Sequence, residues 1–103
     1  MGYAAAVRVL MTEVYRDWIA DLRDRSARAR IQMRIDRLVH GNPGAHRVLG
    51  GGISELKIDV GPGYRIYFTR RGSELIILLA GGDKSSQRRD IVKAVELARN
   101  LEE

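Results

Sequence analysis

Two pairs of polar residues, each spaced two apart, carry the chemistry that this sequence offers. Glu55 and Lys57 lie in ISELKIDV, and Arg65 and Tyr67 in YRIYFTR. Side chains of an extended chain alternate between faces, so each pair shares a face. A simple hairpin register then puts both pairs on the same face of one sheet. An acid, a lysine, an arginine and a tyrosine grouped in this way can serve phosphoryl transfer on RNA. One group removes the 2′-hydroxyl proton, the arginine stabilises a phosphorane-like transition state, and a lysine or tyrosine helps the leaving oxygen. RNA carries its own nucleophile, so this chemistry needs no metal and no other cofactor. The alternative is a solvated strand face with cross-strand ion pairs, the usual role of alternating charges.

A third candidate is Lys84, in Gly82-Asp83-Lys84-Ser85. The run is not a nucleotide-binding P-loop, because Asp83 and Leu78 occupy the positions where that loop needs glycines. A lysine and two serines before a helix still favour an anion, through free N–H groups and the helix dipole. Equally, Asp83 or Ser85 can simply cap the helix. His40 and His46 have no further ligands nearby for zinc, so no metal site is expected. They read as surface residues, with His46 the one that could approach a phosphate.

The elements that position these residues follow from periodicity and turn chemistry. Ala6–Met11 reads as a strand after a loose lead, MGYAAAV. Thr12 is a fair N-cap for a helix over Glu13–Leu22, with Val14, Tyr15, Trp18, Ile19 and Leu22 on one stripe and Trp18 in the core. After a short break Ser26 caps a second helix, Ala27–His40, whose stripe is Ala27, Ile31, Ile35, Leu38 and Val39. So short a link predicts an antiparallel helical hairpin. Gly41-Asn42-Pro43-Gly44 ends it. Ala45–Gly52 reads as a glycine-rich loop. Ile53–Val60 places Leu56, Ile58 and Val60 on one face, and the next strand does the same with Ile66 and Phe68. Gly61-Pro62-Gly63 and Arg71-Gly72 are the turns of an antiparallel meander. Leu75–Ala80 is apolar throughout, which predicts a central strand buried on both faces. A last helix spans about Ser86 to Leu101, with a stripe of Ile91, Ala94, Val95, Ala98 and Leu101.

The net charge of +5 is concentrated. Between Arg23 and Arg47 seven arginines face only Asp24 and Asp36, and the remainder of the chain is neutral. Arg28, Arg30, Arg34 and Arg37 lie off the apolar stripe of the second helix. They form a solvated face, or a contact for a polyanion such as RNA or for an acidic partner protein. Fifteen of the eighteen basic residues are Arg, suited to bidentate phosphate or carboxylate pairs. The 103 residues make one domain with a modest core. With no cysteine there is no disulfide, thiolate site or catalytic thiol, which suits a reducing cytoplasm. No apolar run nears the roughly 20 residues of a membrane span, and no signal peptide is expected.

Four stretches together resemble the small toxins of the RelE/ParE superfamily, in particular the HigB-like, phage-related addiction module killer protein branch. They are Trp18-Ile19, Gly51-Gly52-Ile53-Ser54-Glu55-Leu56, Gly61-Pro62-Gly63-Tyr64-Arg65-Ile66-Tyr67-Phe68 and Gly81-Gly82-Asp83-Lys84-Ser85-Ser86-Gln87. The likeness runs from about Val14 to Leu101. It implies an α+β fold: an N-terminal strand, a helical hairpin, a three-stranded antiparallel meander and a closing helix. It implies a toxin of a type II toxin–antitoxin pair, with a cognate antitoxin, often of helix-turn-helix type, as partner. Many relatives cleave mRNA in the ribosomal A site. In them the basic helical surface holds ribosomal RNA and the concave sheet face works on the message. Here docking would fall to Arg28, Arg30, Arg34 and Arg37. Catalysis would fall to Lys57, Arg65 and Lys84, with Glu55 and Tyr67 as helpers. Several relatives also carry a Tyr or His near the C-terminus as acid or base, whereas this chain ends Ala98-Arg99-Asn100-Leu101-Glu102-Glu103. Proton transfer then falls to Glu55 or Lys57, or catalysis is mainly electrostatic with ribosome help, or the protein is not a nuclease. The alternatives are a ParE-like toxin that inhibits DNA gyrase without an active site, and a non-toxic binding module acting with its antitoxin.

Overall fold

The computed structural model describes residues 7–101. Ala6 of the expected first strand, the lead before it and the last two glutamates lie outside these residues. The elements run β1 (Arg8–Met11), α1 (Glu13–Asp21), α2 (Arg25–Val39), β2 (His46–Gly50), β3 (Ile53–Ile58), β4 (Tyr64–Arg71), β5 (Leu75–Asp83), a 3₁₀ turn (Lys84–Ser86) and α3 (Gln87–Asn100). They form a mixed α+β fold on a five-stranded sheet of order β1-β5-β4-β3-β2. β1 lies parallel to β5, and the other pairs are antiparallel. Leu75–Ala80 is the central run expected, between β1 and β4. The helix over α3 is expected, but Leu101 of its stripe is exposed. No helix among the described residues is long and apolar enough to cross a membrane.

Thr12 fixes the first turn of α1 twice over. Its hydroxyl oxygen accepts from the Tyr15 N–H at 3.1 Å, and the same hydroxyl donates to the Leu79 carbonyl at 2.6 Å. One residue thus caps the helix and fastens it to β5. The cap of α2 is Asp24, which accepts from the Ala27 N–H at 3.0 Å, and not Ser26. A carboxylate two residues earlier does the same work and its charge suits the helix dipole. The two helices lie on one face of the sheet, α1 over β5 and α2 over β3, each leaning on the sheet more than on the other. Both helices of the expected hairpin close on the same core, with Tyr15, Trp18 and Ile19 of α1 in one cluster with Ala27, Ile31 and Ile35 of α2. The core they enclose holds Tyr15, Ile31, Ile35, Leu38, Leu56, Ile58, Ile66, Phe68, Ile76 and Leu78.

Two expectations are corrected. Ala45–Gly52 is not a loop: His46–Gly50 forms the edge strand β2, turning into β3 through Gly51 and Gly52 at φ +62° and +79°. The strand is mostly exposed, so no apolar alternation marks it. The polar face of the meander is also not open. α3 covers it, packing Ala94 and Ala98 against Ile53, Tyr67, Ile77, Leu79 and Ala80. A bulge pairs Tyr67 with Ala80 but Phe68 with Leu78, so Leu79 and Ala80 both meet α3.

Candidate active site

Backbone register assembles the polar corner. Lys57 pairs with Arg65 and Arg65 with Gly82, making one row across β3, β4 and β5. The next row is Arg47, Glu55, Tyr67 and Ala80. All five residues singled out for chemistry are brought together. The Gly63 turn bears on both Arg65 and Lys84: a Cβ there would stand 3.7 Å from Arg65 Nη1 and 3.9 Å from the Lys84 Cβ. Lys84 is exposed on the 3₁₀ turn and Lys57 is half-buried. Glu55 and Tyr67 are wholly buried, and Arg65 is 6% exposed.

Contacts from two flanking elements hold Glu55. Gln87, at the start of α3, donates from Nε2 to Glu55 Oε2 at 2.8 Å. Arg47 Nη2, on β2, stands 3.4 Å from Oε1. Among the described residues, Glu55 Oε1, Arg65 Nε and the Tyr67 hydroxyl close no hydrogen bond. Burial, and then the neighbouring Glu55 charge, push the Tyr67 phenol far above its ordinary pKa, against the opposing effect of Arg65. The ring therefore stays protonated at physiological pH. Arg65 also donates from Nη1 to the Tyr64 carbonyl at 3.2 Å.

The loop into α3 is ordered by its own side chains. Asp83 accepts from the Ser85 N–H at 2.8 Å and from the Ser85 hydroxyl at 2.5 Å, and the second of these chiefly holds its carboxyl below the ordinary range. Ser86 donates to Asp90 at 2.5 Å. The glycines before them are tightly enclosed. A Cβ on Gly81 would overlap the Trp18 indole on one face, and one on Gly82 would overlap Asp90 and Ser86 on the other. The Trp18 ring lies at ring-contact distance from Tyr15 and Tyr64, 5.9 and 6.2 Å between centroids.

The four arginines of α2 separate. Arg30, Arg34 and Arg37 line a cleft of about 330 Å³ that reaches Lys57 and Asp59. Arg28 lies away from them, on an apolar groove with Val9, Met11, Tyr15 and Ile35. Arg34 is committed to the fold. It donates to the carbonyls of Lys57 at 2.7 Å and of Pro43 and Ala45 at 2.9 Å each, tying the turn after α2 to β3. Both histidines bond locally, His40 Nδ1 with the Asp36 carbonyl and His46 Nδ1 with that of Gly44. Among the described residues no three His, Cys, Asp or Glu side chains are grouped to hold a metal ion.

Sequence reasoning missed Arg47, Gln87 and Asp90. Arg47 was hidden by reading β2 as a loop. The Gly51-Gly52 dipeptide is a hairpin signal, but a regular two-residue turn there sets Val48 opposite Glu55; the register shift between Val48 and Gly50 is what brings Arg47 to that place. Gln87 stands inside one of the quoted motifs, but only the packing of α3 gives it a partner.

The model of a family described as phage-derived protein Gp49-like (DUF891) matches residues 17–102. An uncharacterized protein of Haemophilus influenzae (strain ATCC 51907 / DSM 11121 / KW20 / Rd) is 42% identical over 95 residues, which is 92% of this chain and 96% of that protein.

Proposed function

The chain belongs to the Gp49-like family of phage-derived proteins, a family associated with toxins of toxin–antitoxin systems, and on that premise we propose that it is the toxin of such a pair and cleaves mRNA on the ribosome. Its partner is then a cognate antitoxin, of helix-turn-helix type in our reading, and its site of action the cytoplasm. The observation that carries the nuclease reading is the row Lys57–Arg65, with Arg65 and Lys84 both beside the Gly63 turn. Such a row suits a scissile phosphate and the charge that develops on it. The message supplies its own 2′-hydroxyl, which gives its proton to water as its oxygen bonds to phosphorus; the P–O5′ bond breaks and the 5′-oxygen takes a proton from water, so catalysis in this reading is mainly electrostatic. Arg65 faces the phosphorane-like oxygens. Lys57 and Lys84 stand beside the attacking and leaving oxygens. Glu55 and Tyr67 support the row from beneath the surface. The cleft of Arg30, Arg34 and Arg37 continues it toward α2 and suits an RNA backbone.

One observation favours a second reading, a ParE-like toxin that inhibits DNA gyrase by binding alone. Glu55 and Tyr67 have no exposed surface. Induction in cells with mapping of mRNA 5′ ends separates the two. Cut messages within the translated region, with translation failing first, support the nuclease. Intact messages with failing replication and an SOS response would sink it.

A further inference from the structure

We propose that Arg47 is a phosphodiester-contacting residue of the polar corner, and that the buried Glu55 carboxylate is the positioning residue that holds it there. The inference rests on the RNA-directed reading above. Glu55 has no exposed surface, so its carboxylate touches no substrate. Its two oxygens instead meet two different elements, Oε2 the Gln87 amide of α3 and Oε1 the Arg47 guanidinium of β2. The Oε1 contact engages one Nη of Arg47, and 51% of that side chain remains exposed. The buried Tyr67 hydroxyl also lies beside this carboxylate, and no backbone donor takes Oε1 among the described residues. Arg47 is thus anchored below and open above. It stands opposite Glu55, in the row next to Lys57 and Arg65. A guanidinium presents several donors in a fixed fork, so one nitrogen on a carboxylate leaves others for a phosphate oxygen. The row of cations then extends from Lys84 and Arg65 through Lys57 to the β2 edge, long enough to follow a nucleic-acid backbone past the reacting phosphate.

The test is binding of a short fluorescent 2′-O-methyl RNA, which cannot be cleaved, read by anisotropy over a range of salt. Arg47→Ala should weaken binding about tenfold at low salt and flatten the plot of log affinity against log salt by about 0.7, the loss of one phosphate contact. Arg47→Gln keeps a donor for Glu55 and should flatten the slope equally, so a folding defect in the alanine variant would not hide the result. Arg47→Lys should restore the slope. Glu55→Gln should weaken binding in the native background and add nothing to Arg47→Ala. The proposal is overturned by a native slope in Arg47→Gln, by additive effects of the two sites, or by wild-type protein that does not bind the RNA at low salt. Failure of the functional reading looks different: the RNA binds with the expected slopes, but induced cells keep their messages whole.

Discussion

Tyr67 lies beneath α3 with its hydroxyl beside the Glu55 carboxylate, which acts on it by charge and by hydrogen bonding although no bond of good geometry closes. So imperfect a contact contributes little, and Tyr67→Phe should change stability at neutral pH by no more than about 1 kcal/mol, as urea unfolding would report. The same substitution has a pH signature. Burial raises the Tyr15 phenol to about 12, and burial with Glu55 raises that of Tyr67 further. Above the ordinary value of 10.0 the unfolded chain loses these protons while the folded chain keeps them. The wild type should thus lose stability as pH rises past that value, and Tyr67→Phe should lose less. Equal alkaline sensitivity of the two proteins would contradict the buried setting of this ring. In the nuclease we propose, Arg65 is the residue on which catalysis would depend most. Arg65→Ala should lower message cleavage by about 10²–10³, the scale of one lost transition-state contact, and abolish growth arrest while circular dichroism is unchanged. Toxicity at the native level from that variant would remove the role assigned to it.

The meander was legible at the level of elements because its own residues specify it. Leu56, Ile58, Ile66 and Phe68 alternate with polar neighbours, and glycine turns separate the runs, so the shared face of the two polar pairs was legible; the pairing Glu55–Tyr67 and Lys57–Arg65 is the structure's. What was not legible depends on partners distant in sequence. β2 is exposed and carries little pattern of its own. The cover on Glu55 and Tyr67 comes from α3, whose stripe of small residues says that it packs but not where. Arg34 looked like its neighbours in the charge run until the carbonyls of Pro43, Ala45 and Lys57 converged on it. The Gly81-Gly82 pair lies within β5, pressed from one face by Trp18 and from the other by Asp90 and Ser86, a close approach that no sequence pattern announces. Gly81→Ala should destabilise the protein by about 1–3 kcal/mol through overpacking, measurable as a lowered urea midpoint. A wild-type midpoint would show that α1 is free to move away from β5.

Over the whole molecule the charge is divided, not spread along one helix. Arg30 and Arg37 flank the cleft that leads to Lys57, whereas Arg28 belongs to another side of the protein. A basic path of this kind steers a polyanion at a distance and weakens with salt. Arg30→Glu combined with Arg37→Glu should reduce ribosome association in sedimentation assays about tenfold or more, with little change in thermal midpoint, since both side chains are exposed. Undiminished association would move the docking surface elsewhere. The parallel pairing of β1 with β5 bears on a different matter, the order in which the protein comes into being. Thr12 reaches the Leu79 carbonyl across 67 positions, so the first strand has no partner until the last strand has been synthesised. Closure of so long a span makes folding slow relative to a helical bundle of the same size. The Arg65–Gly82 pairing, and Lys84 beyond it, arrive in the same late step. A nascent chain halted before β5 therefore has neither a finished sheet nor the assembled row of Lys57, Arg65 and Lys84.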